Sequence, residues 1–333
     1  MLTNQTKRRF LSGATATALT FSGLGLTLSV HAQDSWPNRP IHFIVPYGPG
    51  QGTDIFARLI SQELTKSLGQ PIVVENKVGA NGMIGADAVA RAAPDGYTFM
   101  FGNASGTVMA NALGYKTPYD LNRDFQPVAQ IGVGGVLLVV RSDFPVSNLK
   151  DFVELIKKNP NKYQYATWGA GSSAHLVMES LKNQQNLKIG HVPYKAITQI
   201  AQDMLGGVIN VGWMDAASAM AQIRAGSLKA LAISGTFRVP QMPELQTMTE
   251  QGYAVGADGW YGLFAPAAVP KFIIERLNRE VNAVMSAPHI KKRMYELNIA
   301  NPPMKSVYEF AQTFQNDMVL WRDIVVKNGI TVN

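Results

Sequence analysis

A glycine- and proline-rich loop near the start of the chain is the first feature whose residue types suit chemistry. Residues 41–46 form a short apolar run, residues 48–52 contain three glycines, and a helical pattern follows at once, with Thr53 or Asp54 placed to cap the helix. A strand, a loop and a helix in this order present free backbone amides and the positive end of a helix dipole. The chemistry that this loop predicts is the binding of an anion.

Further loops place glycines and polar residues after predicted strands, at residues 75–82, 102–107, 167–175 and 212–216. Residues 169–174 imitate a dinucleotide fingerprint, but the next strand leads into Pro193-Tyr194-Lys195, which offers no carboxylate for a ribose. We therefore expect no nucleotide and no other cofactor. Asp215 follows a predicted strand and precedes a helix, so it is either a helix cap or a ligand contact, and both interpretations stay open.

Catalytic motifs do not fit these loops. The first loop lacks the Gly-Lys-Ser/Thr ending of a phosphate-binding loop, and Ser105 is misplaced for the Gly-x-Ser-x-Gly turn of a hydrolase. Lys195 is a candidate catalytic amine, but an exposed or salt-bridged lysine is commoner. The histidines after residue 32 are His42, His175, His191 and His289, and none has the spacing of a metal-binding pair. We expect a protein that is not an enzyme and holds no metal.

The elements that position these loops alternate between strand and helix patterns, which is typical of β-α-β units on a mainly parallel sheet. Residues 41–102 give one series and residues 149–234 give a second. Residues 128–140 and 259–266 are extended runs that we interpret as crossings between two lobes, and the helical residues 271–327 are expected to pack back onto the first sheet. Ligands of open α/β sheets bind beyond the carboxyl ends of the strands, so both sets of loops face a shared cleft.

The first 32 residues have the pattern of an export signal, with Lys7-Arg8-Arg9, an apolar region and a small-x-small cleavage site ending at Ala32. Removing them lowers the formal charge by three, from +7 to +4, and this mild, scattered excess does not indicate nucleic-acid binding. The chain has no cysteine, so disulfides and thiolate metal sites are excluded. No later stretch holds the ~20 unbroken apolar residues of a membrane span. We expect a mature protein that leaves the cytoplasm.

Several motifs resemble the periplasmic receptors of tripartite tricarboxylate transporters, the Bug receptors. The resemblance extends, in the order expected for that family, from Pro40 to the C-terminal helices. The matching motifs are Val45-Pro46-Tyr47-x-Pro49-Gly50-x-x-Thr53-Asp54, Glu75-Asn76-x-x-Gly79-Ala80-x-Gly82, Pro94-Asp95-Gly96-Tyr97-Thr98, His191-Val192-Pro193-Tyr194-Lys195 and Trp260-Tyr261-Gly262-Leu263-Phe264-Ala265-Pro266.

The resemblance implies a two-lobed type II periplasmic-binding-protein fold that closes on a small organic carboxylate and delivers it to the membrane subunits of a secondary transporter. It also implies that backbone amides and hydroxyls hold the carboxylates. By position, the candidate contacts are Tyr47, Gly50, Gln51, Gly52, Thr53, Asp54, Ala104, Ser105, Gly171, Ser172, Ser173, Ala174, His175, Tyr194, Lys195 and Asp215. We expect a monomer, with one lobe formed by residues 33–132 and 259–333 and the other by residues 133–258.

Three residues depart from the family pattern near the proposed cleft. Gln51 replaces a glycine, Ile197 replaces a small residue, and Trp168 stands where a small residue or proline is usual. Trp168 therefore joins the candidate contacts, and an aromatic or longer acid becomes a candidate ligand beside a dicarboxylate. Two alternatives remain open: an amino-acid or amide receptor in which Asp215 pairs with a ligand amine, and a hydrolase of carboxylate esters.

Overall fold

The computed structural model describes residues 36–253, 258–300 and 304–331, so the predicted export signal lies outside the described residues. The strands are β1 (Ile41–Val45), β2 (Ile72–Asn76), β3 (Thr98–Asn103), β4 (Phe125–Gly134), β5 (Val136–Arg141), β6 (Gln164–Thr167), β7 (Gly190–Pro193), β8 (Val211–Asp215), β9 (Leu228–Ile233) and β10 (Gly259–Pro266).

Helices occupy the connections between the strands and the C-terminal part of the chain. They are α1 (Gly52–Leu68), α2 (Met83–Ala90), α3 (Ala110–Ala112), α4 (Leu121–Asp124), α5 (Leu149–Lys158), α6 (Ser173–Gln185), α7 (Ile197–Leu205), α8 (Ala216–Arg224), α9 (Lys271–Ser286), α10 (Pro288–Glu296) and α11 (Val307–Lys327). In the described parts of the chain, no helix combines the length and the apolar character that crossing a membrane requires.

Two five-stranded sheets carry the architecture, in the orders β2-β1-β3-β10-β4 and β7-β6-β8-β5-β9. In the first sheet β10 runs antiparallel to both its neighbours, and in the second sheet β5 does the same. The other four strands of each sheet share one direction. The prediction of two lobes, each with a mainly parallel sheet flanked by helices and joined by extended crossings, is confirmed. Each reversed strand is the one that enters its sheet from the other lobe.

The first crossing is tied to the end of β9 where the chain passes between the sheets. β4 leads to β5 through Gly135, and the Val136 N–H donates to the Ser234 hydroxyl at 2.9 Å, just after β9. The Ser234 N–H donates back to the Val136 carbonyl, also at 2.9 Å. A Cβ at Gly135 would overlap the Ser234 carbonyl oxygen, so the close approach requires glycine at this position.

The first sheet is buried on both faces, as the apolar runs of its strands predict. Phe43 packs on one face with Phe99, and Ile44 belongs to a separate cluster on the opposite face that includes Phe264 and Phe310. The C-terminal helices supply part of this cover: the Asn278 side chain in α9 donates to a carbonyl of β4 at 2.8 Å. The expectation that residues 271–327 pack back onto the first sheet is therefore correct.

The start of α1 differs from the predicted cap. The helix begins at Gly52, its cap residue is Gln51, and the Gln51 side chain does not accept a capping hydrogen bond. The prediction that Thr53 or Asp54 caps the helix is wrong, because the Asp54 carboxylate lies inside the first turn and accepts from the Gly50 N–H at 2.9 Å and from Arg58. The loop consequently folds back on its own helix.

Candidate functional site

A cavity of about 50 Å³ lies between the lobes, at the end of each sheet where the parallel strands finish. We call it the central cavity. Its lining includes Asn103 at the end of β3 and Asp215 at the end of β8, so both sheets contribute. Next to Asn103, residues Ser105–Met109 form a single π-helical turn, an irregularity that is frequent at functional sites.

About half of the sequence-predicted contacts line the central cavity. Those that do are Tyr47, Gln51, Thr53, Ala104, Ser105, Trp168, Ser173 and Asp215. The predicted contacts outside its lining are Gly50, Gly52, Asp54, Gly171, Ser172, Ala174, His175, Tyr194 and Lys195. Ile197 also lines the cavity, so all three residues that depart from the family pattern lie on its wall.

A hydrogen-bonded network of the first lobe holds one wall. The Tyr47 hydroxyl donates to the Asn103 side-chain oxygen at 2.9 Å, and the Asn103 side-chain nitrogen donates to the Thr53 hydroxyl at 2.9 Å. Burial raises the pKa of Tyr47 far above its ordinary value, so the phenol keeps its proton. The wall is therefore neutral and fixed in orientation.

The positive end of α1 faces an acid of the other lobe. The Gly52 N–H donates to the Asp215 carboxylate at 3.2 Å, and the same carboxylate caps α8 by accepting from the Ser218 N–H at 2.8 Å. Asp215 is thus a cap and a contact across the cleft at once. Burial raises its pKa. A Cβ at Gly52 would lie only 2.6 Å from the Tyr261 hydroxyl, so no side chain fits there.

The start of α6 faces a hydroxyl of the first lobe. Ser172 caps the helix by accepting from the His175 N–H at 3.3 Å, and the next amide, Ser173 N–H, donates to the Ser105 hydroxyl at 3.0 Å. The Trp168 indole N–H approaches the same hydroxyl at 3.4 Å. The two predicted anion sites therefore both exist as helix starts, and each already contacts a side chain from the opposite lobe.

Among the residues that line the central cavity, Gln51 is the one whose buried side chain has an unpaired hydrogen-bond donor. Its side chain is only 3% exposed, and its amide nitrogen has no hydrogen-bond partner among the described residues. A buried donor without an acceptor costs about 1–3 kcal/mol. Because Gln51 lines the central cavity, an oxygen of a molecule bound there could serve as the missing acceptor.

Two predicted contacts, Asp54 and His175, do not line the central cavity but hold the loops beside it. Burial favours the neutral form of Asp54, but hydrogen bonds from Arg58, the Gly50 N–H and Asn76 outweigh it and lower its pKa. The His175 ring accepts from the Gly171 N–H at 3.1 Å and stacks on His191, with ring centroids 4.3 Å apart. Both side chains fix the shape of a loop.

Two common catalytic arrangements, a metal site and a serine–histidine pair, do not occur among the described residues. Within residues 36–253, 258–300 and 304–331, no group of histidines and carboxylates has the arrangement of a metal site. In the same ranges no serine hydroxyl is hydrogen-bonded to a histidine ring. The His191 ring pairs with the hydroxyl of Thr167 at 2.7 Å, but Thr167 is fully buried.

Sequence reasoning missed the contributions of the crossing strands and of Asn103. The lining also includes Gly134, Gly135, Val136, Gly259, Trp260 and Tyr261. Because β5 and β10 run against their sheets, their first residues lie at the edge where the parallel strands end. The signal was present in the sequence, since a strand that enters from the other lobe must start at the cleft.

Comparisons with known proteins agree with this geometry. The sequence profile described as "Tripartite tricarboxylate transporter family receptor" matches residues 56–330. Protein BugT of Bordetella pertussis is 32% identical over 92% of this chain and 94% of its own. Among solved structures, R. palustris Rpa4515 with adipate is 29% identical, with a TM-score of 0.85 over 89% of this chain and 99% of that one. MatC from Rhodopseudomonas palustris with bound malate is 31% identical, with a TM-score of 0.81 over 87% and 99%.

Proposed function

Since the chain belongs to the tripartite tricarboxylate transporter receptor family, we propose that it is an exported, non-catalytic receptor that captures a small organic carboxylate between its lobes. The observation that carries the proposal is the buried, unpartnered amide of Gln51 on the wall of the central cavity. A carboxylate oxygen is a strong acceptor for such a donor. The adipate and malate bound by two structural relatives support the same class of ligand.

Capture works by closure of one lobe on the other. In this proposal residues 33–132 and 259–333 form the first lobe, and residues 133–258 form the second. The receptor is a periplasmic monomer that hands its ligand to the membrane subunits of a secondary transporter. The contacts across the cleft, Asp215 with Gly52 and Ser105 with Ser173, support closure because they join the two lobes directly beside the cavity.

The amino-acid alternative has less support. A ligand amine would have to compete for the Asp215 carboxylate with three donors that already bind it, the Ser218 N–H, the Ser218 hydroxyl and the Gly52 N–H. The ester-hydrolase alternative lacks a serine and a histidine in contact among the described residues. We therefore retain a carboxylate receptor as the proposed function.

Thermal unfolding and calorimetry of residues 33–333 test the proposal. The ligands are succinate, malate, adipate, benzoate and octanoate, with glutamate, glucose and a nucleotide for comparison. A ligand at 100 times its Kd adds roughly 2.7 kcal/mol to the free energy of unfolding. Stabilisation by at least one carboxylate is expected. If glucose or the nucleotide stabilised the protein and no carboxylate did, the proposal would be wrong.

Gln51→Ala should weaken carboxylate binding by about tenfold, because the variant loses a hydrogen bond to a charged acceptor worth about 1.5 kcal/mol or more. Gln62→Ala is the matched control, since Gln62 lies on the same helix with an exposed side chain. Calorimetric titration of both variants measures the difference. Equal affinities for the two variants would show that Gln51 makes no contact with the ligand.

A further inference from the structure

A second, larger space adjoins the central cavity. It is a groove of about 740 Å³, and Tyr47 and Trp168 line both the groove and the cavity. We call it the outer groove. Apart from these two rings, its walls are mostly apolar, with Val78, Ile84 and Tyr115 among them. The two spaces are therefore neighbours separated by a pair of aromatic side chains.

The two side chains of this partition are held to different degrees. The Tyr47 hydroxyl donates to Asn103 at 2.9 Å, and Gly106 packs so closely that a Cβ there would overlap the same hydroxyl. The Trp168 indole has only a long contact of 3.4 Å to Ser105. The residue after Trp168 is Gly169, with φ of +133°, a conformation that other residues rarely adopt. Trp168 is thus held by weaker polar contacts than Tyr47.

The sizes of the two spaces suit different parts of one molecule. A cavity of about 150 Å³ holds a benzene ring. The central cavity, at about 50 Å³, accommodates a carboxylate and its nearest carbons but not a ring or a long chain. The outer groove is large enough for either.

Resting on the proposed function, we propose that the ligand is an amphipathic carboxylate whose aryl or medium-length alkyl body lies in the outer groove, against Trp168, while its carboxylate occupies the central cavity. The groove offers this body an apolar surface that is otherwise exposed to water: the side chain of Ile84 is 55% exposed and that of Val78 is 39% exposed. Covering such a surface stabilises the complex through the hydrophobic effect.

The charge of the groove disfavours a cationic occupant. Lys195 is on its wall, is exposed, and has no ion-pair partner among the residues that the structure describes. The lining contains no aspartate or glutamate. A cationic amphiphile would meet this lysine without a compensating acid, so the groove selects against it.

Calorimetry with propanoate, butanoate, hexanoate, octanoate and 3-phenylpropanoate tests the inference on the whole mature chain. Affinity should rise about two- to fourfold with each added methylene that becomes buried, and the phenyl acid should bind more tightly than propanoate. The heat capacity change on binding should become more negative with chain length. If the short acids bind and affinity stays flat along the series, the groove is not part of the site, although the proposed function stands.

The substitution Ile84→Gln tests the contribution of the outer groove separately from that of the central cavity. Ile84 is exposed on α2, so the variant should fold, and its affinity for octanoate should fall about tenfold while its affinity for propanoate stays within twofold. Val208→Gln, which removes another exposed apolar side chain away from the groove, is the control. Equal losses for both acids would overturn the inference. Failure of every carboxylate to bind would instead overturn the proposed function, and the inference with it.

Discussion

The starts of α1 and α6 are related features of the two lobes, but they meet different partners. The first amide of α1 donates to a carboxylate, Asp215, whereas the first amide of α6 donates to a neutral hydroxyl, Ser105. A ligand carboxylate near α1 must compete with an acidic side chain for the amide, whereas one near α6 must only displace a hydroxyl that can also donate to it. The two helix starts are similar in structure, but their different partners mean that they need not each bind an anion.

The supports behind the two loops differ as well. Asp54 in the first lobe is charged and bonded to Arg58 and Asn76, while His175 in the second lobe is stacked on His191 in a buried cluster. Burial lowers the pKa of His175, which keeps its ring neutral and able to accept from the loop. The first loop is held by ion pairing and the second by neutral rings, so the two should respond differently to acid.

The largest expected effect comes from the start of α1. Gly52→Ala puts a Cβ 2.6 Å from the Tyr261 hydroxyl and 3.0 Å from Asp215. Alanine is the better helix former, yet overpacking should cost about 1–3 kcal/mol of unfolding free energy. The displaced loop should lower carboxylate affinity by up to about 100-fold. Urea denaturation and calorimetry measure the two effects.

Gly190→Ala is the control for this substitution, because a Cβ at Gly190 meets only an ordinary contact of 3.4 Å with Gln164. The control should retain both stability and affinity. If Gly52→Ala proved as stable and as tight in binding as this control, the close packing of α1 against Asp215 would not be required for the site.

Acid should affect the second loop more than the first. Burial, with the neighbouring His175, lowers the pKa of His191 from 6.5 to about 4. Between these values the unfolded chain binds a proton that the folded chain does not, so stability falls as the pH falls from 6.5 to about 4. Glu179 opposes this shift and Lys182 adds to it. His191→Gln should remove about 2 kcal/mol of the stability lost between pH 7 and pH 4.5.

Urea denaturation at the two pH values measures that difference. His289→Gln is the control, since His289 is exposed on α10, and it should retain the acid sensitivity of the parent chain. Equal acid sensitivity in the His191 variant and the parent would show that the buried histidine cluster does not govern the response.

The smallest expected effects are changes in ligand affinity of opposite sign, caused by one substitution beside each helix start. Asp215→Asn retains a good helix cap, removes the negative charge and frees the Gly52 amide, so affinity for dicarboxylates should rise by several-fold. Ser105→Ala removes a hydroxyl from the start of α6 and should lower affinity by about threefold to tenfold. Calorimetric titration compares them. A fall in affinity for both variants would show that the two helix starts play equal roles.

The fold was predictable because the sequence shows alternating strand and helix patterns in both segments that form the sheets. The site residues were predictable only where their position in a loop after a strand was enough to place them at the cleft. Gln51, Ser105 and Ser173 lie two to six residues after the ends of β1, β3 and β6, and they line the central cavity. Asp54 was assigned to the site, although its partner Arg58 stands four residues later, at the spacing of a helical ion pair.

Other features depend on partners that are distant in the chain. Asn103 orients both Tyr47 and Thr53, and nothing near residue 103 in the sequence reveals this. The two roles of Asp215 require residue 52, in the opposite lobe. These pairings arise from packing of the lobes, so a strand-by-strand interpretation does not reach them.

The place where the chain passes between the lobes leaves little freedom for bending. Val136 and Ser234 exchange two hydrogen bonds, which continue the pairing of β5 with β9 in the second sheet. Gly134 pairs with Gly259 in the first sheet. Only Gly135 lies between these two anchored positions, and its Cα approaches the Ser234 carbonyl closely. Any change in the angle between the lobes along this crossing should therefore be taken up at Gly135.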